Sequence, residues 1–550
     1  MYTQNLKNSR HVLPLLILVS VTIISLAPFA AKAFNIDEPL FIWVAKNIQS
    51  HPLDFYGFKI NWYGTEMDAA RIIKNPPLAA YYIALVGTCA GWNEIPLHLA
   101  FLFPAIAAAL GSYFLADRFT QNPLMAALIG ILNPVFMLSG MTVMCDTMML
   151  AFYVWAVYFW VRGIKDDTCR DLFIAAVLIA LCSLTKYFGL CLIPLLFLYT
   201  LMYGDGRKSR ALFLLIPVAL LCLYQWETSV IYGRGLLSDA ASYASKEKAL
   251  NFSAIFPNLV TGLSFTGGCL ISALFFVTNQ WNKRSLLASA LLIFLAAFGL
   301  RKLIFSHHPE IPWWGYYLQL AIFAAAGIHI LVLAGYNLRH RKDADTMLLV
   351  LWILGTFAFA AIINWSVNGR SILPMAPAAG ILVMRFLENK RGELWQPGCK
   401  KMLIPLSCAW LVCMMVMWAD YSLAETARSA AKEINQLYGS NKPLLFQGHW
   451  GFQYYMENNG GIAYDRKKTS IQPGDIMVIP ENNTNAFPEI MAQGTPLQVL
   501  QFAPLSFITT MNYNAGAGYY SSGFGPLPFL VDKAPEERYH IVVFPQFKQP

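Results

Sequence analysis

Long apolar segments recur along the first three quarters of the chain, and they constrain the fold more than any other feature. A helix of about 20 mostly apolar residues is long enough to cross the hydrocarbon core of a bilayer. Only 13% of the 550 residues are charged, about half the share that is usual in a soluble domain. The sequence therefore predicts a polytopic α-helical membrane protein with thirteen transmembrane helices, near residues 12–33, 95–116, 122–140, 147–163, 171–186, 188–203, 211–230, 259–280, 285–303, 314–335, 346–366, 371–387 and 402–419.

The first apolar segment has two interpretations. Lys7 and Arg10 precede it and "AAKAF" ends it, which resembles a signal peptide with its cleavage site. The apolar run over 12–33 is closer to the length of a spanning helix than to a signal core of about 7–15 residues. We therefore favour an uncleaved first helix.

Lys and Arg in the short loops predict the orientation of the chain, because cytoplasmic loops are enriched in them. The basic loops all fall on the side of Lys7 and Arg10 only if the short Pro-Pro-initiated segment 76–92 does not cross the bilayer. We therefore expect 76–92 to lie in, or re-enter, the outer interface of the cell inner membrane. The amino end is then cytoplasmic and the carboxyl end periplasmic. The net charge of +9 is explained by this topology, and no nucleic-acid partner is predicted.

The composition changes after residue 419. Short apolar runs separated by Gly, Pro and Asn are typical of strands, and a segment with helical spacing precedes them. We predict two domains: a transmembrane module over 1–419, with a first periplasmic loop at about 34–94 that carries interfacial helices, and a small periplasmic α/β domain over 420–550.

Adjacent carboxylates follow the first apolar segment, at Asp37 and Glu38. A carboxylate at the membrane surface can accept a proton from a hydroxyl, and a neighbouring acid can raise its basicity. The alternative is a solvated helix cap, because Asp37 precedes Glu38-Pro39 at a plausible helix start.

Three cations lie on the predicted outer side, where topology disfavours them: Lys74, Lys186 and Arg370. Arg suits a phosphate through its planar fork of donors, and Lys through its point charge. Together they indicate an anionic ligand, whereas snorkelling at helix ends would explain any one of them.

Asp146 lies between two spans with no basic neighbour in the sequence. It could orient an acceptor, bind a metal ion or cap the next helix. His307, His308 and Glu310 could form a metal site, but an exposed loop is the preferred interpretation. The aromatic stretch "GHWGFQYYM" (448–456) is expected to pack within the outer domain.

Several of these features occur in one order and on one predicted side: Asp37-Glu38, the Pro-Pro-Leu helix, Asp146, "LTK" and "GRSILP". In this order they resemble the GT-C membrane glycosyltransferases of the protein O-mannosyltransferase and lipid A aminoarabinose transferase type. The resemblance covers about residues 12–390, and thirteen spans with an outer carboxyl domain also fit that family.

The resemblance implies transfer of a sugar from a polyprenyl-phosphate donor to an acceptor on the outer face. It implies that Asp37 is the catalytic base, that Lys74 contacts the donor phosphate and that Asp146 is the second acidic motif. The family's Arg-Tyr pair before Leu-Pro corresponds to Arg370-Ser371, which keeps the charge and lacks the aromatic ring.

The sequence therefore predicts an inverting glycosyltransferase. Its predicted catalytic residues are Asp37, Glu38 and Asp146, and Lys74, Lys186 and Arg370 are predicted to bind the donor phosphate. Its partners would be the polyprenyl-phosphate sugar, membrane lipids, and a glycan, lipid or protein acceptor. No cofactor is predicted, although a divalent metal ion stays open. A transporter or flippase for a lipid-linked or anionic solute is the alternative, and a lipid-linked oligosaccharide polymerase or ligase is a further one.

Overall fold

The computed structural model describes residues 2–247, 252–303, 314–391, 399–439 and 443–545. The first half of the chain forms helices α1 (Tyr2–Leu26), α2 (Glu38–Ser50), α3 (Ala69–Ile72), α4 (Leu78–Ala90), α5 (Glu94–Asp117), α6 (Pro123–Ile131), α7 (Pro134–Gly140), α8 (Cys145–Lys165), α9 (Cys169–Thr185), α10 (Leu192–Tyr203), α11 (Leu215–Tyr232) and α12 (Leu236–Glu247). The remainder forms α13 (Phe252–Cys269), α14 (Ser272–Phe275), α15 (Val277–Gln280), α16 (Lys283–Leu303), α17 (Trp314–His340), α18 (Ala344–Ala358), α19 (Gly369–Ile372), α20 (Ala376–Arg391), α21 (Cys399–Tyr438), α22 (Trp450–Asn458) and α23 (Pro488–Met491).

The chain is a multi-pass helical membrane protein, but not every predicted window is a complete span. Among the described residues, eight helices are long and apolar enough to cross a membrane, and the bent pair α6 and α7 makes a ninth. Windows 171–186 and 188–203 fall on helical segments of only 17 residues, on either side of a break at Lys186. Window 259–280 is divided among α13, α14 and α15. By this criterion the prediction of thirteen spans is too high for the described residues, which hold eight or nine.

The ambiguous segment 76–92 forms α4, which has 13 residues. At 1.5 Å per residue it is about 20 Å long, shorter than the hydrocarbon core of about 30 Å. It packs against α2 and α5. This length agrees with a helix that does not cross, while the side of the membrane on which it lies stays a prediction.

Small residues allow the helices to approach closely, which is typical of packing in membranes. A Cβ added to Gly267 on α13 would lie 1.9 Å from the Phe323 carbonyl oxygen on α17. A Cβ on Gly327 of α17 would lie 2.1 Å from the Leu263 carbonyl oxygen on α13. Both positions therefore need glycine, because any side chain would separate the two helices.

The C-terminal region is a mixed α/β structure, as expected. Its strands are β3 (Leu445–Phe446), β4 (Ile462–Ala463), β5 (Ile476–Pro480), β6 (Thr495–Phe502), β7 (Ile508–Thr509), β8 (Met511–Asn512), β9 (Ala517–Gly518), β10 (Leu530–Val531) and β11 (Glu537–Val543), which follow the hairpin β1 (Lys59–Asn61) and β2 (Glu66–Asp68) of the first loop. The main sheet has the order β4-β3-β5-β11-β6, with β11 antiparallel to both neighbours and β3 parallel to both of its own. The 40-residue helix α21 runs continuously through the predicted domain boundary at 419/420.

The first loop and the C-terminal region are joined by several hydrogen bonds. The Phe34 backbone N–H donates to the Tyr455 hydroxyl (2.8 Å), and the Glu66 N–H donates to the Asp465 carboxylate (2.8 Å). The rings of Trp62 and His449 stack with their centroids 5.0 Å apart. The C-terminal region thus covers the loop that begins at the predicted catalytic pair.

A buried carboxyl lies inside this α/β region. Glu537 on β11 is 6% exposed and accepts hydrogen bonds from the side-chain amides of Asn482 (2.9 Å) and Asn512 (3.4 Å). Burial raises its pKa to about 7, because the two amides only partly offset the loss of water. The folded state therefore holds a proton that the unfolded chain releases near its usual pKa of about 4.3.

We expect this proton to make the fold less stable as pH rises from about 4.3 to about 7, since the unfolded state releases its proton first. Glu537→Gln keeps an oxygen that both amides can reach and removes the titration. The midpoint of heat unfolding, measured on the full chain in detergent, should be higher than that of the wild type at pH 8, with a smaller difference at pH 5. Glu489→Gln, at an exposed position, is the control. An equal effect of Glu537→Gln at both pH values would contradict the prediction.

Candidate active site

A cavity of about 1250 Å³ lies between the first loop, the ends of several spans, α12 and the C-terminal region. Five of the six predicted site residues line it: Asp37, Lys74, Asp146, Lys186 and Arg370. These five are also its only charged lining residues in the described part of the chain, with three cations against two carboxylates. Most of the remaining wall is apolar, and it includes Leu40, Phe41, Val44, Phe359, Ile362 and Ile363.

Asp37 and Arg370 are in direct contact although 333 positions separate them. The Arg370 guanidinium donates from Nη1 to Asp37 Oδ2 at 2.9 Å. Asp37 directly precedes α2, but its side chain makes no capping hydrogen bond. The capping interpretation is therefore wrong for this carboxylate, which is turned toward the cavity.

Arg370 is held in place by its local structure and keeps one donor unused. Asn368 caps the short helix α19 by accepting from the Ser371 backbone N–H, and this fixes the start of the helix that carries Arg370. The guanidinium lies 5.8 Å from the centre of the Tyr520 ring. Its Nε is buried and has no hydrogen-bond partner among the described residues. An unpaired buried donor is costly, and a ligand oxygen would satisfy it.

Lys186 and Asp146 form a second pair in the cavity, with 2.5 Å between Nζ and Oδ1. Lys186 has extended backbone at the break that follows α9, and Asp146 lies in the first turn of α8. The other oxygen of Asp146, Oδ2, is buried without a described partner. This pair therefore also leaves a hydrogen-bonding position for a ligand.

Lys74 is paired with an aspartate that has no distinguishing feature in the sequence. Its Nζ lies 2.5 Å from Asp239 Oδ2 on α12, and 5.3 Å from the centre of the Tyr243 ring. Arg234 also contacts Asp239, at 3.2 Å. Snorkelling alone does not explain any of the three predicted cations, because each is paired with a carboxylate.

Glu38 does not line the cavity. It is fully buried, accepts hydrogen bonds from the backbone N–H groups of Asn35 (2.6 Å) and Val143 (2.8 Å), and lies 3.2 Å from His98 Nε2. Burial raises its pKa, but Lys32 and His98 outweigh burial and hold it below the usual value. These contacts support a structural role for Glu38, and its predicted catalytic role stays a prediction.

The sequence analysis did not predict that two aromatic residues, Tyr520 and Trp450, line the cavity. Tyr520 is buried against Arg370 and donates from its hydroxyl to Asp420 Oδ2 at 2.9 Å. Trp450 begins α22 and faces the cavity, although the stretch that contains it was expected only to pack within the outer domain. Both come from the C-terminal region, and nothing in their local sequence relates them to the membrane part of the site.

No group of three or more His, Cys, Asp or Glu side chains in the described ranges is placed to hold a metal ion. His307, His308 and Glu310 lie outside the described residues, so their predicted loop is not tested. Asp37 and Asp146 are the carboxylates that face the cavity.

Comparisons with solved structures give loose likenesses. An oligosaccharyltransferase from Archaeoglobus fulgidus is 12% identical over 84% of this chain, with a TM-score of 0.45, and this chain covers 63% of its length. ArnT from Cupriavidus metallidurans, solved with undecaprenyl phosphate, is 14% identical over 97% of this chain and 98% of its own, with a TM-score of 0.44. The Pmt1-Pmt2 protein O-mannosyltransferase complex of S. cerevisiae, solved with its sugar donor, is 14% identical over 42% of this chain and 33% of its own, with a TM-score of 0.28.

A family comparison is more specific. No curated protein matches the chain, but residues 74–231 match the family described as dolichyl-phosphate-mannose-protein mannosyltransferase. The matched range begins at Lys74 and includes Asp146 and Lys186. The predicted resemblance is thereby confirmed for residues 74–231, which are similar to the PMT_2 family.

Proposed function

We propose that this chain transfers a sugar from a polyprenyl-phosphate donor to an acceptor hydroxyl at the periplasmic face of the cell inner membrane, with inversion at the anomeric carbon. The observation that carries the proposal is the contact between Asp37 and Arg370 inside a largely apolar cavity. In this contact a proton acceptor, Asp37, lies beside a cation that suits phosphate, Arg370, whose Nε has no described hydrogen-bond partner. The apolar walls of the cavity suit a lipid chain.

The charges of the cavity favour a phosphate-linked donor. Lys74, Lys186 and Arg370 face the same space, and Arg can hold Asp37 through Nη1 while Nε donates to a phosphate oxygen. The family name also refers to a lipid-phosphate sugar. A transporter for an anionic solute would use the same cations, but no described feature favours it over the transferase.

The reaction then proceeds as one displacement. Asp37 accepts the proton of the acceptor hydroxyl, the hydroxyl oxygen bonds to the anomeric carbon, and the bond from that carbon to the phosphate oxygen breaks. Polyprenyl phosphate leaves with one more negative charge than it had in the donor. The cations interact more strongly with this leaving group than with the donor, so they stabilise the transition state more than the ground state.

Asp146 has a supporting role in this scheme. Its Oδ1 holds Lys186, and its free Oδ2 can accept a hydrogen bond from a hydroxyl of the sugar or acceptor. Lys74 lines the cavity near α12 and would contact the phosphate after releasing Asp239.

Membrane orientation is a separate part of the proposal. A reporter fused after Asn61 should report the periplasm, and one fused after Arg207 should report the cytoplasm, because Lys and Arg are concentrated in the loops on the Arg207 side. Alkaline phosphatase and green fluorescent protein fusions, active on opposite sides, provide the measurement. A cytoplasmic reading after Asn61 would place the cavity on the wrong face and overturn the proposed topology.

Asp37→Asn tests the base. The variant keeps the shape of the side chain but removes the proton acceptor, so we expect product formation to fall by about 10²- to 10⁴-fold, the range that general-base catalysis supplies. The measurement is the rate at which outer-face glycans of a deletion strain regain their normal mass after expression of each variant. Asp68→Asn, the same change at an exposed position in the same loop, should behave as the wild type. An active Asp37→Asn protein at normal expression would exclude Asp37 as the base.

Arg370 is tested by two substitutions. Arg370→Ala should weaken polyprenyl-phosphate binding and lower turnover by about 10²- to 10³-fold, as expected when a preorganised donor to developing charge is removed. Arg370→Lys should restore only part of both, because an ammonium cannot hold Asp37 and a phosphate in one planar geometry. Binding is measured by titrating the detergent-solubilised protein with polyprenyl phosphate, with the exposed Arg71→Ala as the control. Wild-type affinity and turnover in Arg370→Ala would remove this residue from the site.

A further inference from the structure

A second cavity lies in the C-terminal region, beside the first. It has a volume of about 610 Å³, and three loops form it, at 481–483, 512–514 and 533–538. We call it the outer groove. Phe524 lines both the outer groove and the cavity of about 1250 Å³ described above, which we call the main cavity. The two spaces therefore meet at this ring.

A row of three aromatic rings runs from one space to the other. The Trp450 ring, in the main cavity, lies 5.5 Å from Phe524 between centroids. The Phe524 ring lies 6.4 Å from that of Tyr513, which lines the outer groove and is 50% exposed. Rings of this kind combine a flat apolar face with polar neighbours, and the C–H face of a sugar ring packs well on such a surface. The Phe524 ring is inclined by 50° to Trp450 and by 85° to Tyr513, so the three rings form a continuous aromatic surface that turns between the two spaces.

The backbone at Trp450 supports a functional position for the first ring. Its φ angle is +63°, which is uncommon for any residue other than glycine and an outlier for a bulky one. Such a conformation costs about 1–3 kcal/mol and clusters at ligand-binding sites. The strained residue is one of those that line the main cavity.

The polar lining of the outer groove suits an uncharged ligand. Asn482 and Asn512 contribute amides, and the buried Glu537 beneath them accepts from one amide donor of each. The charged lining residues are two acids and two bases: Glu481, Glu536, Lys533 and Arg538. This balance differs from that of the main cavity, where cations exceed carboxylates, and it gives a phosphate group no advantage.

We infer that the outer groove binds the acceptor, and that the acceptor is an uncharged oligosaccharide whose reacting end passes over Phe524 toward Asp37. This inference rests on the proposed function, and it chooses a glycan from the three acceptor classes that the sequence left open. The groove has the features of a specific ligand site, with aromatic surface and a few convergent polar groups.

Photo-crosslinking in living cells tests the inference and does not require the glycan to be identified first. The full chain carries the photoreactive amino acid benzoylphenylalanine in place of Tyr513, or, as a control, in place of Leu497 on β6. The two positions have nearly equal exposure, 50% and 48%. After irradiation, the purified chain is oxidised with periodate, stained for carbohydrate and hydrolysed for analysis of monosaccharides. We expect carbohydrate on the chain labelled at 513, at least ten times more than at 497.

Every other outcome overturns the inference. These outcomes are an adduct at 513 that contains only protein or only lipid, equal labelling at both positions, and no labelling at 513 in a chain that still restores the glycans of the deletion strain. Repeating the capture with Asp37→Asn separates the two proposals. Capture should persist there, because the acceptor binds but does not react. If Asp37→Asn proves active, the proposed base fails while the capture result still decides the groove.

Discussion

A buried ammonium group holds together the parts of the chain that form the site. Lys32 follows the first span and is 3% exposed, with its Nζ 3.1 Å from Asp420 on α21 and 4.0 Å from Glu38 on α2. Burial lowers its pKa, but the two carboxylates outweigh burial and raise it, so the ammonium form is kept. Removing one partner of such a buried pair costs about 3–5 kcal/mol, because the other charge stays behind without compensation. Separating the first loop from α21 would leave buried charges without their partners, so these contacts hold the two elements together. We call this set of contacts the Lys32 lock.

The same set of contacts extends to Asp37 and Arg370, the residues proposed to act in the reaction. Asp420 also accepts the hydroxyl of Tyr520, the Tyr520 ring lies against Arg370, and Arg370 holds Asp37. The adjacent acids Asp37 and Glu38 therefore have different tasks. Glu38 points into the protein and belongs to the Lys32 lock, whereas Asp37 points into the cavity. Neighbours on a helix start face different directions, which is how one dipeptide can serve both stability and the proposed chemistry.

Much of this arrangement could be predicted from the sequence, for identifiable reasons. Asp37, Asp146, Lys186 and Arg370 could be found because an ionisable residue beside an apolar segment is rare and is usually functional. Glu38 could not be separated from Asp37, since the sequence does not show that His98 and the Val143 N–H face it. The break at Lys186 was predicted, because a charge interrupts the apolar sequence there, whereas the breaks that divide window 259–280 among α13, α14 and α15 carry no such signal. Thirteen windows were therefore predicted where the described ranges hold eight or nine spans by length and composition.

The contributions of the C-terminal region were the least predictable, because they come from residues that are distant in sequence and ordinary in composition. In the family that the sequence resembles, an aromatic residue follows the arginine, and Ser371 occupies that place here. The structure brings the Tyr520 ring from the C-terminal region to the same guanidinium, 5.8 Å away.

The site therefore requires the C-terminal region to dock on the first loop, and the Lys32–Asp420 contact lies where that docking is fixed. Trp450 and Phe524 extend the same dependence outward, since both line the cavity from the C-terminal side. A chain whose C-terminal region separated from the first loop would keep Asp37 and Arg370 in its sequence but would lose the surroundings that orient them.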